Sequence, residues 1–184
     1  SGTITRTARM SLVEMLAKHY REFAYVISQL QGSKEWGVKV YFDRKKFIEW
    51  LRKENGEIQD LEGSGASVSE GMRWYTERKI DGIIARESEE AIEKEIQHLI
   101  GALETCSTEV RLNETPANGV PEPDREMIMS GACLVRNDTV RGFRDTYHAF
   151  AKKAARKGVL LELTGPWPPY NFVDVYERVE NPST

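Results

Sequence analysis

Two short acid-x-x-His pairs are the first places to look for chemistry in this chain, Glu95 with His98 and Asp145 with His148. On a helix that spacing sets a carboxylate and an imidazole on one face, the arrangement di-iron bundles use in duplicate with further inward carboxylates. Here the two pairs fall in different predicted helices with no additional inward acids, so both read as surface hydrogen bonding and neither is expected to hold a metal. His19 stands alone beside the apolar stripe of the first helix and is expected to face solvent. Cys106 and Cys133 are the only cysteines; lacking ligand-like spacing, they argue against a thiolate metal centre and fit a reducing compartment. Gly63-Ser64-Gly65 lacks a third glycine and a preceding strand, and Glu62 adds negative charge, so it reads as a flexible linker rather than a phosphate loop. No serine or cysteine sits in a nucleophile elbow. The expectation is a chain with no catalytic residues, no cofactor and no metal.

The informative segment is Gly165-Pro166-Trp167-Pro168-Pro169-Tyr170-Asn171-Phe172-Val173. Three prolines interleaved with aromatics are unsuited to a helix or strand interior and stiffen the chain into an extended turn. The segment could fold Trp167, Tyr170 and Phe172 back over the end of a sheet, or present an aromatic surface to a partner at low entropic cost. The first reading places Trp167 against the sheet end near the first strand, as part of the folded core.

The elements that must position these residues come from a chain of 184 residues, 40% hydrophobic and 30% charged, the balance of a soluble globular domain. Its net charge of −3 and its pI near 5.8 supply no basic stripe for phosphates, so nucleic acid is not an expected partner. No apolar run reaches the length of a membrane span, no signal peptide opens the chain, and a cytoplasmic location is expected. The opening Ser1-Gly2-Thr3, without methionine, reads as a cleavage scar or the start of a fragment.

Apolar residues at spacings of three and four from Leu12 through Leu16, Tyr20, Phe23 and Ile27 to Leu30 predict an amphipathic first helix over about residues 7–30, stopped by Gly32. Alternation over Glu35 to Asp43 predicts a strand with Trp36, Val38, Val40 and Phe42 on one face. Asp43 caps a short helix carrying Phe47, Ile48 and Leu51, broken at Asn55-Gly56, and a polar linker follows to Ala66. Ser67 and Glu70 form a capping-box pattern for a helical crossover over residues 67–105, with Val68, Met72, Tyr75, Ile83, Ile92, Ile96, Leu99 and Leu103 inward and a kink or break near Arg86 to Glu89. The acidic run Glu87 to Glu95 reads as a solvated face, with Glu90 and Lys94 as an i,i+4 pair. Strands are predicted over Glu109–Asn113, Met127–Val135 and Val159–Thr164. A loop containing Pro116, Gly119, Pro121 and Pro123 separates the first two, and a helix from Asp138 or Thr139 to Gly158 precedes the third.

The order strand, helices, strand, strand, helix, strand is that of a ferredoxin-like βαββαβ domain, an α+β fold with helices on one face of an antiparallel sheet ordered 4-1-3-2. The Glu35–Asp43 and Met127–Val135 strands take its centre, because the latter is apolar on both faces. The domain is expected to run over residues 34–184, Pro-rich tail included, with residues 1–33 as a preceding helix.

Three blocks carry a family likeness. Leu163 to Val173 (LTGPWPPYNFV) resembles the C-terminal signature of the GvpF/GvpL gas-vesicle proteins, Glu35 to Asp43 (EWGVKVYFD) resembles a second block, and Gly71-Met72-Arg73-Trp74-Tyr75 a third, all in family order. Asn171 stands where family members often carry serine. The resemblance extends from about Thr3 and implies a chain equivalent to the C-terminal portion of the family, with the first helix as the remnant of a connection to an N-terminal α/β domain. It further implies a non-enzymatic accessory component of gas vesicle assembly, associating with the GvpA-type wall protein and other accessory proteins. Trp36, Gly165, Pro166, Trp167, Pro168, Pro169 and Tyr170 are the motif residues it marks for interaction. A generic ligand-binding or regulatory ferredoxin-like module, and an enzyme on the same scaffold, are the alternatives, since fold alone does not fix function.

Overall fold

The computed structural model describes residues 3–64, 69–113 and 125–173. Strand β1 (Ser33–Asp43) alternates as its sequence dictates, with Trp36, Val38, Val40 and Phe42 buried on one face. It pairs antiparallel with β3 (Arg125–Arg136) on one side and β4 (Val159–Trp167) on the other, and β2 (Glu109–Asn113) closes the far edge against β3. The strand order is β2-β3-β1-β4, the order expected from the sequence. β3 is buried on both faces from Gly131 to Val135, which is why it occupies the centre beside β1.

Helices cover the Trp36 face. α2 (Arg44–Glu54) starts where the Asp43 carboxylate accepts the Lys46 N–H at 3.1 Å and inserts Phe47 and Leu51 into the core. The expected linker after Asn55 is instead a helix, α3 (Gly56–Ser64): the Asn55 side chain accepts the Ile58 N–H at 3.1 Å, and Ile58 is fully buried. A one-turn apolar anchor thus overrides the low helix propensity of Gly56 and Gly63. Its last residues include Gly63 and Ser64, so that pair belongs to a helix end rather than a flexible linker.

α4 (Glu70–Cys106) runs unbroken, without a gap near Arg86 to Glu89. Its N-cap is Ser69, whose side chain makes no capping hydrogen bond, and the expected cap at Ser67 lies outside the described residues, as does Val68. Ile83, Leu99 and Leu103 face inward as expected, with Ile92 and Ile96 half-buried, but Met72 and Tyr75 are exposed together with Trp74. The first buried residue of the helix is Ile80; its opening turns carry apolar side chains that the domain does not cover. The run Glu87 to Glu95 is not uniformly solvated either, since Ser88 and Glu95 are buried and Glu90 approaches Arg86 at 4.0 Å rather than Lys94.

α5 (Val140–Ala154) buries Phe143, Tyr147 and Ala154, and Gly158 (φ +74°) ends the following 3-10 turn. A Cβ there would lie 2.6 Å from the Asp43 carbonyl oxygen, so both the conformation and the space demand glycine. α1 (Thr3–Leu30) forms as its periodicity predicts, yet Tyr20 and Ile27 of the expected inward stripe are exposed, with Val13 and Tyr25. Only its last residue, Leu30, is described as packing on a buried cluster, that of Ala132, Leu134 and Phe172 on the sheet face opposite the helices. Among the described residues no helix is long and apolar enough to cross a membrane. The proline- and glycine-bearing loop between β2 and β3 lies outside the described residues.

Candidate interaction surface

Chemistry at the acid-x-x-His pairs is ruled by which way each side chain points. Glu95 turns inward, its carboxylate accepting a 2.5 Å bond from Lys157 Nζ, while His98, one turn further along α4, is exposed. Lys157 in turn lies over the Trp50 ring at 5.7 Å. Glu95 is therefore half of a buried ion pair and not a surface hydrogen-bonding group, and its partner comes from 62 residues further along the chain. Asp145 and His148 are exposed, and His19 is half-buried against Phe23 at 6.2 Å. Among the described residues no three His, Cys, Asp or Glu side chains converge as a metal site would require. Burial pushes the Cys133 thiol up to about 12 and raises that of Cys106, so neither is a thiolate near neutral pH. A cleft between α3 and the start of α4 is open and mixed in charge, lined by Arg52, Glu62, Arg73, Glu77 and Asp81, with Arg52 paired to Glu62.

The Pro-aromatic segment is built differently from its sequence expectation. β4 does not stop at Thr164 but continues through Gly165-Pro166-Trp167, with Trp167 opposite Glu35 across an irregularity in the β1 pairing. Pro166 is tolerated because β4 is an edge strand, whose outer N–H groups need no ladder partner. Gly165 has φ +115°, and a Cβ there would lie 2.9 Å from the Glu35 carbonyl oxygen. The Gly165–Pro166 peptide is cis. After Pro168 and Pro169 the chain makes a single 3-10 turn, Tyr170–Phe172, with the Tyr170 N–H donating to the Pro168 carbonyl at 2.7 Å.

The turn divides its aromatics between two environments. Phe172, only 4% exposed, packs with Ala132, Leu134 and Leu30 on the helix-free face of the sheet, and the Arg111 guanidinium lies over its ring at 5.0 Å. Trp167 and Tyr170 are 53% and 74% exposed. The expectation that Trp167 is packed into the core is thus corrected: it lies beside the first strand but its indole faces out, because the ring that closes the sheet end is Phe172. Of the other motif residues, Gly165, Pro166 and Pro168 share the exposed stretch and Pro169 is half-buried. Trp36 does not belong to this surface. It is buried on the opposite face, 5.9 Å from the Phe143 ring, and its position follows from β1 alternation alone.

Sequence reasoning missed the residues that hold the strap down. Asn171 donates its backbone N–H to Glu35 Oε2 at 2.9 Å and its Nδ2 to Glu35 Oε1 at 2.5 Å, while its carbonyl accepts from Arg111 Nη1 at 2.8 Å. Arg111 also donates to Glu109 at 2.6 Å. The available signal was Glu35 itself, an acid next to Trp36 in a strand that pairs on both edges, where a carboxylate covered by the chain needs partners.

Fold and strap together describe an α+β domain with a four-stranded antiparallel sheet whose C-terminal segment is clamped so that two aromatic rings stand in solvent. The chain belongs to the GvpL/GvpF family: the family model for Gas vesicle synthesis protein GvpL/GvpF matches residues 2–174. It is 21% identical over 173 residues to Gas vesicle protein L1 of Halobacterium salinarum, covering 92% of this chain and 60% of that protein. With Gas vesicle protein L of a Streptomyces species it shares 26% identity over 164 residues, 89% of this chain and 57% of the relative. In fold it is similar to the crystal structure of the gas vesicle protein GvpF from Anabaena, with a TM-score of 0.57 at 16% identity over 88% of this chain and 62% of that one. The GvpF structure from Microcystis aeruginosa gives 0.54 at 15% identity, over 86% and 62%. The chain therefore spans about 60% of the length of the relatives it matches.

Proposed function

We propose that this chain is a non-enzymatic accessory component of gas vesicle assembly that docks the GvpA-type wall protein, and other accessory proteins, through the aromatic surface of its C-terminal strap. Family membership supplies the gas-vesicle setting. The observation that carries the docking surface is the exposure of Trp167 and Tyr170 on a backbone that Pro166, Pro168, Pro169 and the Asn171 clamp hold rigid. Exposed aromatics on a preorganised chain are what a protein-binding hot spot needs, since large rings bury area at little entropic cost. The reading places the protein at gas vesicles with no nucleic acid or membrane partner. It also takes residues 34–184 as a ferredoxin-like domain and residues 1–33 as a connecting helix, consistent with the sheet order and with an α1 whose last residue, Leu30, packs on the helix-free face of the sheet.

The test is co-purification of tagged chain with the wall protein, wild type against Trp167→Ala and Tyr170→Ala. Each substitution is expected to weaken capture by about tenfold or more, the loss typical of removing a hot-spot aromatic. Full capture by the double variant would overturn the reading.

A further inference from the structure

Glu35 lies on the β1 face that points away from the helices, yet it is only 5% exposed because the strap covers it. Among the described residues it has no ion pair. Both carboxylate oxygens are spent on one residue, taking the backbone and side-chain N–H groups of Asn171. The nearby cation, Arg111, binds the other side of the same residue through its carbonyl. Asn171 is therefore gripped at three atoms, midway between a ring that points out, Tyr170, and a ring that points in, Phe172. Successive residues of a 3-10 turn project about 120° apart, so fixing the middle one fixes the directions of both neighbours.

We propose that the Glu35 carboxylate is the latch of the strap, and that with Arg111 it positions Trp167 and Tyr170 for their partner; the second half of this statement rests on the docking surface proposed above. A charged acceptor with two donors from one residue is a strong, directional grip. Its chemistry also specifies how it can be rewired. In Glu35→Gln the Asn171 side chain keeps its bond only by turning its oxygen to the new amide N–H, and both bonds lose their charged acceptor. In Asn171→Asp two carboxylates face each other. In the double variant the amide introduced at position 35 accepts the backbone N–H of residue 171 through its oxygen and donates to the new carboxylate, restoring two bonds at the same formal charge.

The test reads the strap directly, by amide hydrogen exchange at Tyr170, Asn171 and Phe172 and by the indole N–H resonance of Trp167, assigned with Trp167→Phe. Each single variant is expected to speed exchange by about 10- to 100-fold, the conversion of one lost charged hydrogen bond. The double variant is expected to recover most of it. Asn171→Ala, which removes only the side-chain donor on an exposed residue, serves as a milder variant should Glu35→Gln fail to fold. Unchanged exchange in Asn171→Asp and Asn171→Ala would overturn the latch, as would a double variant no better than the worse single. Capture of the wall protein is expected to fall about tenfold in the singles and to return in the double. If capture survives in the singles while Trp167→Ala abolishes it, the positioning role falls and the docking surface stands. If Trp167→Ala also binds fully, the docking surface itself falls while the latch is still decided by exchange.

Discussion

Replacing Phe172 by alanine should destabilise the protein about two to three times as much as replacing Trp167, although tryptophan is the larger side chain and the motif residue. Phe172 is 4% exposed and fills the contact with Ala132, Leu134 and Leu30 beneath Arg111. Phenylalanine to alanine at a buried site costs about 3 to 5 kcal/mol. The lower end, about 3 kcal/mol, applies here because the ring sits under a terminal strap that can settle into the space it leaves. Trp167 at 53% exposure has roughly half its area against the protein. Truncation there gives up about 100 Å² at about 25 cal/mol per Å² less what alanine retains, or about 1 to 1.5 kcal/mol. For a chain of this size 1 kcal/mol moves the melting temperature by about 2 to 4 °C, so the expected drops are about 6 to 12 °C for Phe172→Ala and about 2 to 6 °C for Trp167→Ala. Thermal unfolding followed by circular dichroism reads both. A Trp167→Ala variant that melts as low as Phe172→Ala would mean that the indole is the packed ring, and would refute both the exposure argument and the docking surface built on it.

Two further outcomes follow from the core. Lys157→Met leaves the Glu95 carboxylate, whose side chain is 7% exposed, without its partner; a loss of about 3 kcal/mol is expected in denaturant unfolding, the low end for a broken buried pair because the Lys157 end is 30% exposed to water. Adding Glu95→Leu should recover most of it, and a single variant as stable as wild type would refute the pairing. Cys133 titrates at about 12 folded against an ordinary thiol value of 9.0, so above pH 9 the unfolded chain loses this proton first. Stability should therefore decline between about pH 9 and pH 12, and Cys133→Ala should make that decline shallower; identical slopes would refute the buried, neutral thiol.

Local pattern determined much of this protein. The alternation of Glu35 to Asp43 set β1 and its buried face, Asp43 capped α2, Gly158 ended the 3-10 turn that follows α5, and the run of apolar residues in β3 put that strand at the centre of the sheet. These features depend on periods of two or 3.6 and on residues within a turn of one another, which a sequence displays directly. Ile58 was harder to read, since one buried side chain and a cap from Asn55 make a helix where glycines and charges suggest a linker. The stripes of α1 and of the first turns of α4 showed the opposite limit: periodicity predicts a helix, but only the tertiary arrangement decides whether anything covers its apolar face, and Tyr20, Ile27, Met72 and Tyr75 are left exposed. The strap was legible as stiff and aromatic, but not in its directions. Which of Trp167, Tyr170 and Phe172 turns inward is decided by Glu35, 136 residues away from Asn171, and by Arg111, 60 residues away. Contacts across such separations leave no periodic trace in the chain, because they exist only once the sheet has brought the two ends together.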